Sequence, residues 1–257
     1  MRKTKLIAVV ILVVIAGCLA AIYSKTAYVV PILMYHSIDH NDKATKLSVS
    51  PESFARQMEF LHKNHYNVVP LVKVLSYIQK KEKPPRNTIA ITFDDGYDNN
   101  YQYAYPLLKK YNMPAAIFII VNSVGKPGFL SWKEIREMSD SGIITIGSHT
   151  MTHLWLLGSD VPAIKKEIAD SKAILEKKLG KRVDLFCYPM GAFNARSKKA
   201  VEDAGYACAV STNPPSAPTD RYAIKRVKIS RSSDNMFIFW AETTRFYSLF
   251  KRRKETE

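Results

Sequence analysis

Asp94 and Asp95 stand side by side at the end of the apolar run 89–93, and Gly96 follows them. Adjacent carboxylates after an apolar strand are costly unless something cationic balances them. His149 and His153 lie four residues apart, just beyond a second apolar run at 143–147. Two neutral imidazoles at that spacing can meet one metal ion. Each feature alone has an ordinary structural reading, since Asp-Asp-Gly is good turn chemistry and a single histidine often caps or packs. Together they describe a catalytic zinc set of two histidines and one carboxylate, which leaves a coordination position for water. Such an ion lowers the pKa of bound water towards ~7, and a nearby carboxylate can take the proton. Neighbouring residues at a strand end point in different directions, so one aspartate can bind metal while the other faces the water.

These residues need strands that deliver them to one end of the fold. Residues 29–35, 67–69, 89–93, 115–121, 143–147, 183–188, 207–210 and 224–229 read as strands. Most are continuously apolar, as expected of a sheet covered on both faces. His36 ends the first of them, and Pro189-Met190-Gly191 end the sixth, so four strand ends converge on one candidate mouth. Helical patterns fill the gaps. Ser50 precedes Pro51, and Phe54, Met58 and Leu61 follow at helical spacing. Ser131 and Glu134 form a capping box for a helix through Met138. Residues 159–179 place Ile164, Ile168 and Leu175 on one face and stop at Gly180; residues 194–204 stop at Gly205. Alternation of strand and helix predicts a parallel sheet, and seven or eight such units without a long linker predict one barrel. Residues 213–218 read as a loop and 251–257 as a charged, frayed tail.

The chain has 257 residues, 47% of them apolar, and 38 Lys+Arg against 23 Asp+Glu, a net charge of +15. That mix excludes a disordered, collagen-like or low-complexity chain. The charge suggests an anionic neighbour, and a membrane or cell-wall surface explains it more simply than nucleic acid, for which no reading module is present. Cys18, Cys187 and Cys208 are too few for a disulfide scaffold, and the last two are expected as free thiols. Arg2, Lys3 and Lys5 flank an uncharged run from Leu6 to Tyr23, near the lower limit for spanning a bilayer. The basic end should stay cytoplasmic and send the rest of the chain outward. Ile15-Ala16-Gly17-Cys18 resembles a lipoprotein box with Cys18 as the lipidated residue, while Leu19-Ala20-Ala21-Ile22 continue the apolar run as a retained anchor would. Either outcome tethers the domain at the extracytoplasmic face. Residues 1–25 are therefore assigned to a signal or anchor segment and 26–257 to one domain.

Thr92-Phe93-Asp94-Asp95-Gly96 and Ser148-His149-Thr150-Met151-Thr152-His153 resemble the first two motifs of the polysaccharide deacetylases, the NodB homology group of carbohydrate esterase family 4. The resemblance covers about residues 31–229. It implies a distorted (β/α)7 barrel, Asp94 as catalytic base, and Asp95, His149 and His153 as ligands of a divalent metal, most often Zn2+, with Co2+ or Ni2+ also accepted. The family's third motif carries an arginine that orients the base. Here the segment reads Phe186-Cys187-Tyr188-Pro189-Met190-Gly191, without it. By resemblance the backbone N–H of Tyr188 faces the developing oxyanion. No histidine follows His153, but Met34-Tyr35-His36 resembles a circularly permuted branch that includes the biofilm poly-β-1,6-N-acetylglucosamine deacetylases. In that branch this histidine is the general acid, a role carried to His36.

The expected activity is metal-dependent hydrolysis of acetyl groups from N-acetylglucosamine residues of an extracellular or cell-wall polysaccharide, by a monomer. Two rival readings are an inactive glycan-binding module, motivated by the missing arginine, and an O-acetyl glycan esterase of the same fold. Trp132 and Trp155 follow strand ends, where they either line a sugar groove or pack. His40, His62 and His65 lie in loop or helix contexts and read as solvated.

Overall fold

The computed structural model describes residues 7, 10–17, 30–40, 47–212, 220–244 and 247. Strands β1 (Ile32–Tyr35), β2 (Asn67–Val68), β3 (Thr88–Phe93), β4 (Ala115–Ile119), β5 (Ile144–Ser148), β6 (Leu185–Cys187), β7 (Cys208–Ser211), β8 (Ile224–Lys225) and β9 (Val227–Lys228) form one sheet. Its order is β8-β7-β6-β5-β4-β3-β1-β9, with β2 paired to β3 off that path. Every pairing is parallel. The two ends of the path are consecutive in sequence, because only Arg226 separates β8 from β9. The predicted single strand at 224–229 is thus two short pieces, one paired to β7 and the other to β1. Counted as one stave, they nearly close a seven-stave barrel.

The helices cover the outside. They are α1 (Pro51–Lys63), α2 (Leu71–Lys80), α3 (Tyr105–Lys110), α4 (Trp132–Asp140), α5 (Val161–Leu179), α6 (Ala195–Asp203) and α7 (Met236–Thr243). Local chemistry sets several of their ends. Ser50 accepts from the Ser53 N–H at the start of α1, with Pro51 in the first turn. Ser131 and Glu134 make both bonds of the capping box on α4. Asp160, rather than Ser159, caps α5, and Gly180 ends that helix at φ +66°.

Strand parity divides the core. Ile32, Ala90, Ala116, Phe118, Leu185, Cys187, Cys208, Val210 and Ile224 form one buried cluster, continued by Leu71, Val74 and Leu75 of α2. The alternate residues, among them Leu33, Ile91, Ile117, Phe186 and Ala209, pack in the larger cluster with the outer helices. Burial on both faces is why the strands read as unbroken apolar runs. Arg226 shares the parity of Ile224, and its guanidinium lies 5.5 Å from the centroid of Phe118.

Cys18 and most of the expected 1–25 anchor lie outside the described residues, as do the loop at 213–218 and the tail at 251–257. Residues 10–17 are helical and exposed. Among the described residues no helix is long and apolar enough to cross a membrane.

Candidate active site

Asp94 is the first residue beyond β3. Its N–H still donates to the Tyr35 carbonyl, so its side chain keeps the strand's direction and is 2% exposed. Asp95 turns out of the ladder at φ +73°, a left-handed conformation that aspartate tolerates better than most residues. This break makes the two neighbouring carboxylates diverge. Thr150, His153 and Met190, at the ends of the next strands, also have positive φ. Non-glycine residues in this region gather where surrounding structure imposes the strain, often at functional sites.

Asp95 faces both histidines. Its Oδ1 lies 3.5 Å from His149 Nε2 and 3.7 Å from His153 Nε2. One donor atom from each of the three residues falls within 4.8 Å of the others. Ligand atoms bound about 2.0–2.2 Å from a shared ion are separated by distances of this order, and two imidazoles with a carboxylate suit zinc-type chemistry. The residues present therefore fit a divalent cation. His149 Nδ1–H donates to the Cys187 carbonyl at 2.8 Å. A carbonyl only accepts, so in the neutral ring the proton sits on Nδ1 and the lone pair of Nε2 is turned towards Asp95. Glu167 of α5 holds the loop between the histidines, accepting from the Met151 and Thr152 N–H groups at 2.9 Å each and from the Thr152 hydroxyl at 2.8 Å.

Asp94 meets a different partner. Arg226 donates from Nη1 to Oδ1 at 2.7 Å and from Nη2 to Oδ2 at 2.6 Å. The same guanidinium donates to the Ser211 carbonyl, the Thr92 hydroxyl and Cys187 Sγ. Burial alone would raise the pKa of Asp94. The charge and hydrogen bonds of Arg226 outweigh it and hold the carboxyl well below the usual carboxylate range. Asp94, His149 and Cys187 also come close enough to suggest a second cation cluster. Arg226 already provides the cation there, and burial pushes the Cys187 thiol up, away from the thiolate that binds metals. Cys187 and Cys208 are free thiols, as expected.

His36 Nε2 lies 3.9 Å from Asp94 Oδ2. Burial is the largest influence on this imidazole and lowers its pKa, against the opposing pull of Asp94. Asn99 steadies the segment, donating to Ser37 Oγ and accepting from the Ile38 N–H. The strand ends thus bring His36, Asp94, Asp95, His149 and His153 together.

Tyr188 is a correction. Its N–H donates to the Val210 carbonyl at 3.1 Å, and its hydroxyl donates to the Tyr222 carbonyl at 3.0 Å. Residue 188 lies just past β6, but its N–H continues the bonding to β7 and is not offered to an oxyanion. Trp132 packs against the core under the Lys178 ammonium. Trp155 is half exposed with its ring against Gly158. His40 pairs with Glu52, His62 rests on Tyr111, and His65 is exposed.

Two residues of this arrangement were not assigned from the sequence. Glu167 sits on a helix face rich in charge and gives no signal there. Arg226 gives a faint one: in the segment 224–229 it shares the parity of Ile224, while Lys225 and Lys228 beside it carry the same charge.

A family model described as polysaccharide deacetylase matches residues 81–209. YxkH of Bacillus subtilis, assigned by its name to the polysaccharide deacetylases, is 39% identical over 202 residues, covering 78% of this chain and 71% of its own. The poly-beta-1,6-N-acetyl-D-glucosamine N-deacetylase of Staphylococcus aureus strain MRSA252 is 32% identical over 198 residues, 71% of this chain and 68% of that one. Among solved structures, the Streptococcus pyogenes deacetylase PplD in complex with acetate superposes with a TM-score of 0.75 at 26% identity, covering 82% of this chain and 98% of that one.

Proposed function

This chain belongs to the polysaccharide deacetylase family, a hydrolase of non-peptide carbon–nitrogen bonds, and on that premise we propose that it removes N-acetyl groups from an N-acetylglucosamine polymer outside the cytoplasm with the help of a divalent metal. The observation that carries the metal is the convergence of Asp95, His149 and His153 on one point, with His149 fixed in the tautomer a ligand needs. When bound, the ion polarises the acetamide carbonyl and makes the attacking water more acidic.

The chain's own residues then divide the proton work. Asp94 takes the proton of the attacking water while Arg226 keeps both of its oxygens in place. A carboxylate held this low is a weak base, so it takes a proton readily only from an acidified donor. His36 gives a proton to the departing amine, and the products are acetate and a free amino sugar. The two groups stand 3.9 Å apart, His36 Nε2 to Asp94 Oδ2. No oxyanion role is assigned to Tyr188. Arg226 also removes the ground for the inactive-module reading, because the cation missing from residues 186–191 comes from the last stave of the barrel.

The N-terminal basic flank and apolar run support a tether at the outer face of the membrane, either as a lipidated Cys18 or as a retained helix. Zn2+ is the expected ion. The test is acetate release from N-acetylated and O-acetylated polysaccharides before and after chelation. The expected result is release from the N-acetylated polymer, lost with chelator and restored by Zn2+. Release that survives complete chelation removes the metal from the reading, and release from O-acetyl esters alone replaces the amidase with an esterase.

A further inference from the structure

Histidines four residues apart commonly meet one ion by sharing the face of a helix. His149 and His153 have no helix between them and lie on a loop beyond β5. That loop has left-handed backbone at Thr150 (φ +68°) and His153 (φ +62°), and both rings face Asp95. A β-branched residue in this conformation is an outlier, so the surrounding structure must impose the turn. The two rings are not held alike. His149 Nδ1–H is fixed on the Cys187 carbonyl, whereas no hydrogen bond among the described residues holds the ring of His153. The place of His153 therefore depends on its backbone.

Each backbone N–H from His149 to His153 has an acceptor. His149 donates to the Ile119 carbonyl, Thr150 to Ser148 Oγ, and His153 to Thr150 Oγ1. Met151 and Thr152 both donate to Glu167 Oε2 at 2.9 Å, and the Thr152 hydroxyl donates to Oε1 at 2.8 Å. Glu167 is thus the one acceptor of this set that a helix supplies. Successive N–H groups converging on one carboxylate oxygen form an anion cradle, and such bonds are roughly twice as strong as neutral ones. The two left-handed residues, Thr150 and His153, border the pair that Glu167 holds. Helix α5 gives it a firm base: Asp160 caps the start, and Ile164 and Ile168, on either side of Glu167, are buried. Lys166, next to it in the helix, pairs with Asp170 instead, so the Glu167 carboxylate is committed to the loop.

We propose that Glu167 is a positioning residue for the metal: it holds the 150–153 turn in its ligating shape before an ion arrives, and so sets how tightly the ion is held. This rests on the reading of Asp95, His149 and His153 as metal ligands. Glu167 acts through hydrogen bonds, so a neutral group of the same shape can stand in for it. Glutamine offers its carbonyl to the two N–H groups and its amide N–H to the Thr152 hydroxyl oxygen. Alanine leaves both backbone N–H groups to water and frees the turn.

The experiment compares the wild type, Glu167→Ala and Glu167→Gln as metal-free full chains. Zn2+ is titrated into each, urea unfolding is run without metal, and amide hydrogen exchange is followed at Met151 and Thr152. Glu167→Ala should bind Zn2+ about 10–100-fold more weakly, the loss typical when a group supporting a metal ligand is removed. Its Met151 and Thr152 amides should lose protection. Its metal-free urea midpoint should stay at that of the wild type, because Glu167 is only half-buried on α5. Glu167→Gln should bind within about threefold of the wild type, since it keeps the bonds and loses only their charge assistance. A wild type that binds no Zn2+ would overturn the ligand reading and this proposal with it. If the wild type binds and Glu167→Ala binds as tightly, the proposal alone falls. It falls too if Glu167→Gln is as weak as Glu167→Ala, which assigns the effect to charge. A urea midpoint that drops in step with affinity would instead make Glu167 a residue of general stability.

Discussion

Arg226 and Asp94 form a two-pronged ion pair inside the barrel, with Nη1 on Oδ1 at 2.7 Å and Nη2 on Oδ2 at 2.6 Å, and neither side chain is more than 3% exposed. Both carboxylate oxygens are committed, so the carboxylate plane is fixed by the guanidinium plane. The position of Arg226 follows from barrel closure: it is the residue at which the last stave passes from the β7 edge to the β1 edge. One residue therefore joins the two ends of the sheet and holds the base.

Removing either partner leaves a buried charge uncompensated. Arg226→Met should destabilise the protein by about 3–5 kcal/mol. Arg226→Lys keeps the charge but not the fork, and should lower acetate release by about 10²-fold through misplacement of Asp94, with a smaller loss of stability. Urea unfolding beside acetate-release kinetics checks both; an Arg226→Lys protein with full turnover would show that the fork does not position the base.

The same pair predicts an acid limit. Asp94 has a folded-state pKa below its unfolded value, so its contribution to stability is complete above about pH 5 and drains as pH falls through about 4 and below. Urea unfolding from pH 7 to pH 3 should show the wild type losing stability more steeply than Asp94→Asn, which has no carboxyl to protonate. Parallel curves for the two proteins would contradict the low value.

The two adjacent aspartates should separate cleanly by variant. Asp94→Asn should retain bound Zn2+ after dialysis while acetate release falls by about 10²–10⁴-fold. Asp95→Asn should lose both together. Metal content and acetate release are measured on the same samples, and loss of metal from Asp94→Asn but not from Asp95→Asn would reverse the roles.

Much of this was legible in the sequence, and the rest was hidden for identifiable reasons. The apolar runs marked seven of the eight predicted strands nearly to their ends, because strands covered on both faces carry no polar interruption. Asp94, Asp95, His149, His153 and His36 stood out as polar residues at the ends of such runs. Two relationships could not be seen. Arg226 is 132 residues from Asp94, and only closure of the barrel brings them together. Tyr188 reads as the last residue of the strand 183–188 and takes its oxyanion role from resemblance alone, yet its N–H is taken by the Val210 carbonyl. Strand-end assignments good to a residue or two suffice for a fold and not for deciding which N–H is free.

Gly147 tests how closely the barrel wall must pack beneath the metal ligands. A Cβ there would lie 2.5 Å from the Phe118 ring and 3.0 Å from the Leu185 carbonyl. The carbonyl belongs to the neighbouring stave and cannot swing aside as a side chain can. Gly147→Ala should therefore cost roughly 1–3 kcal/mol and weaken Zn2+ binding by shifting His149 two residues on. Unfolding and metal titration read the two effects, and an unchanged protein by both measures would mean that the strand slides freely.

His36 as acid makes a claim about the leaving group. An amine must be protonated to depart, whereas the phenolate of an activated aryl acetate leaves without help. His36→Gln should slow acetate release from N-acetylated glycan by about 10²–10⁴-fold and leave aryl acetate hydrolysis within about tenfold of wild type. Asp94→Asn should slow both substrates, because both need the attacking water to lose its proton. Burial lowers the pKa of His36 in the resting protein, so the proton is held most firmly at the acid end of the working range. The His36-dependent part of amide turnover, taken as the difference between wild type and His36→Gln, should decline as pH rises. Equal losses on both substrates would instead make His36 a residue that positions Asp94, a part its 3.9 Å approach to Oδ2 equally permits.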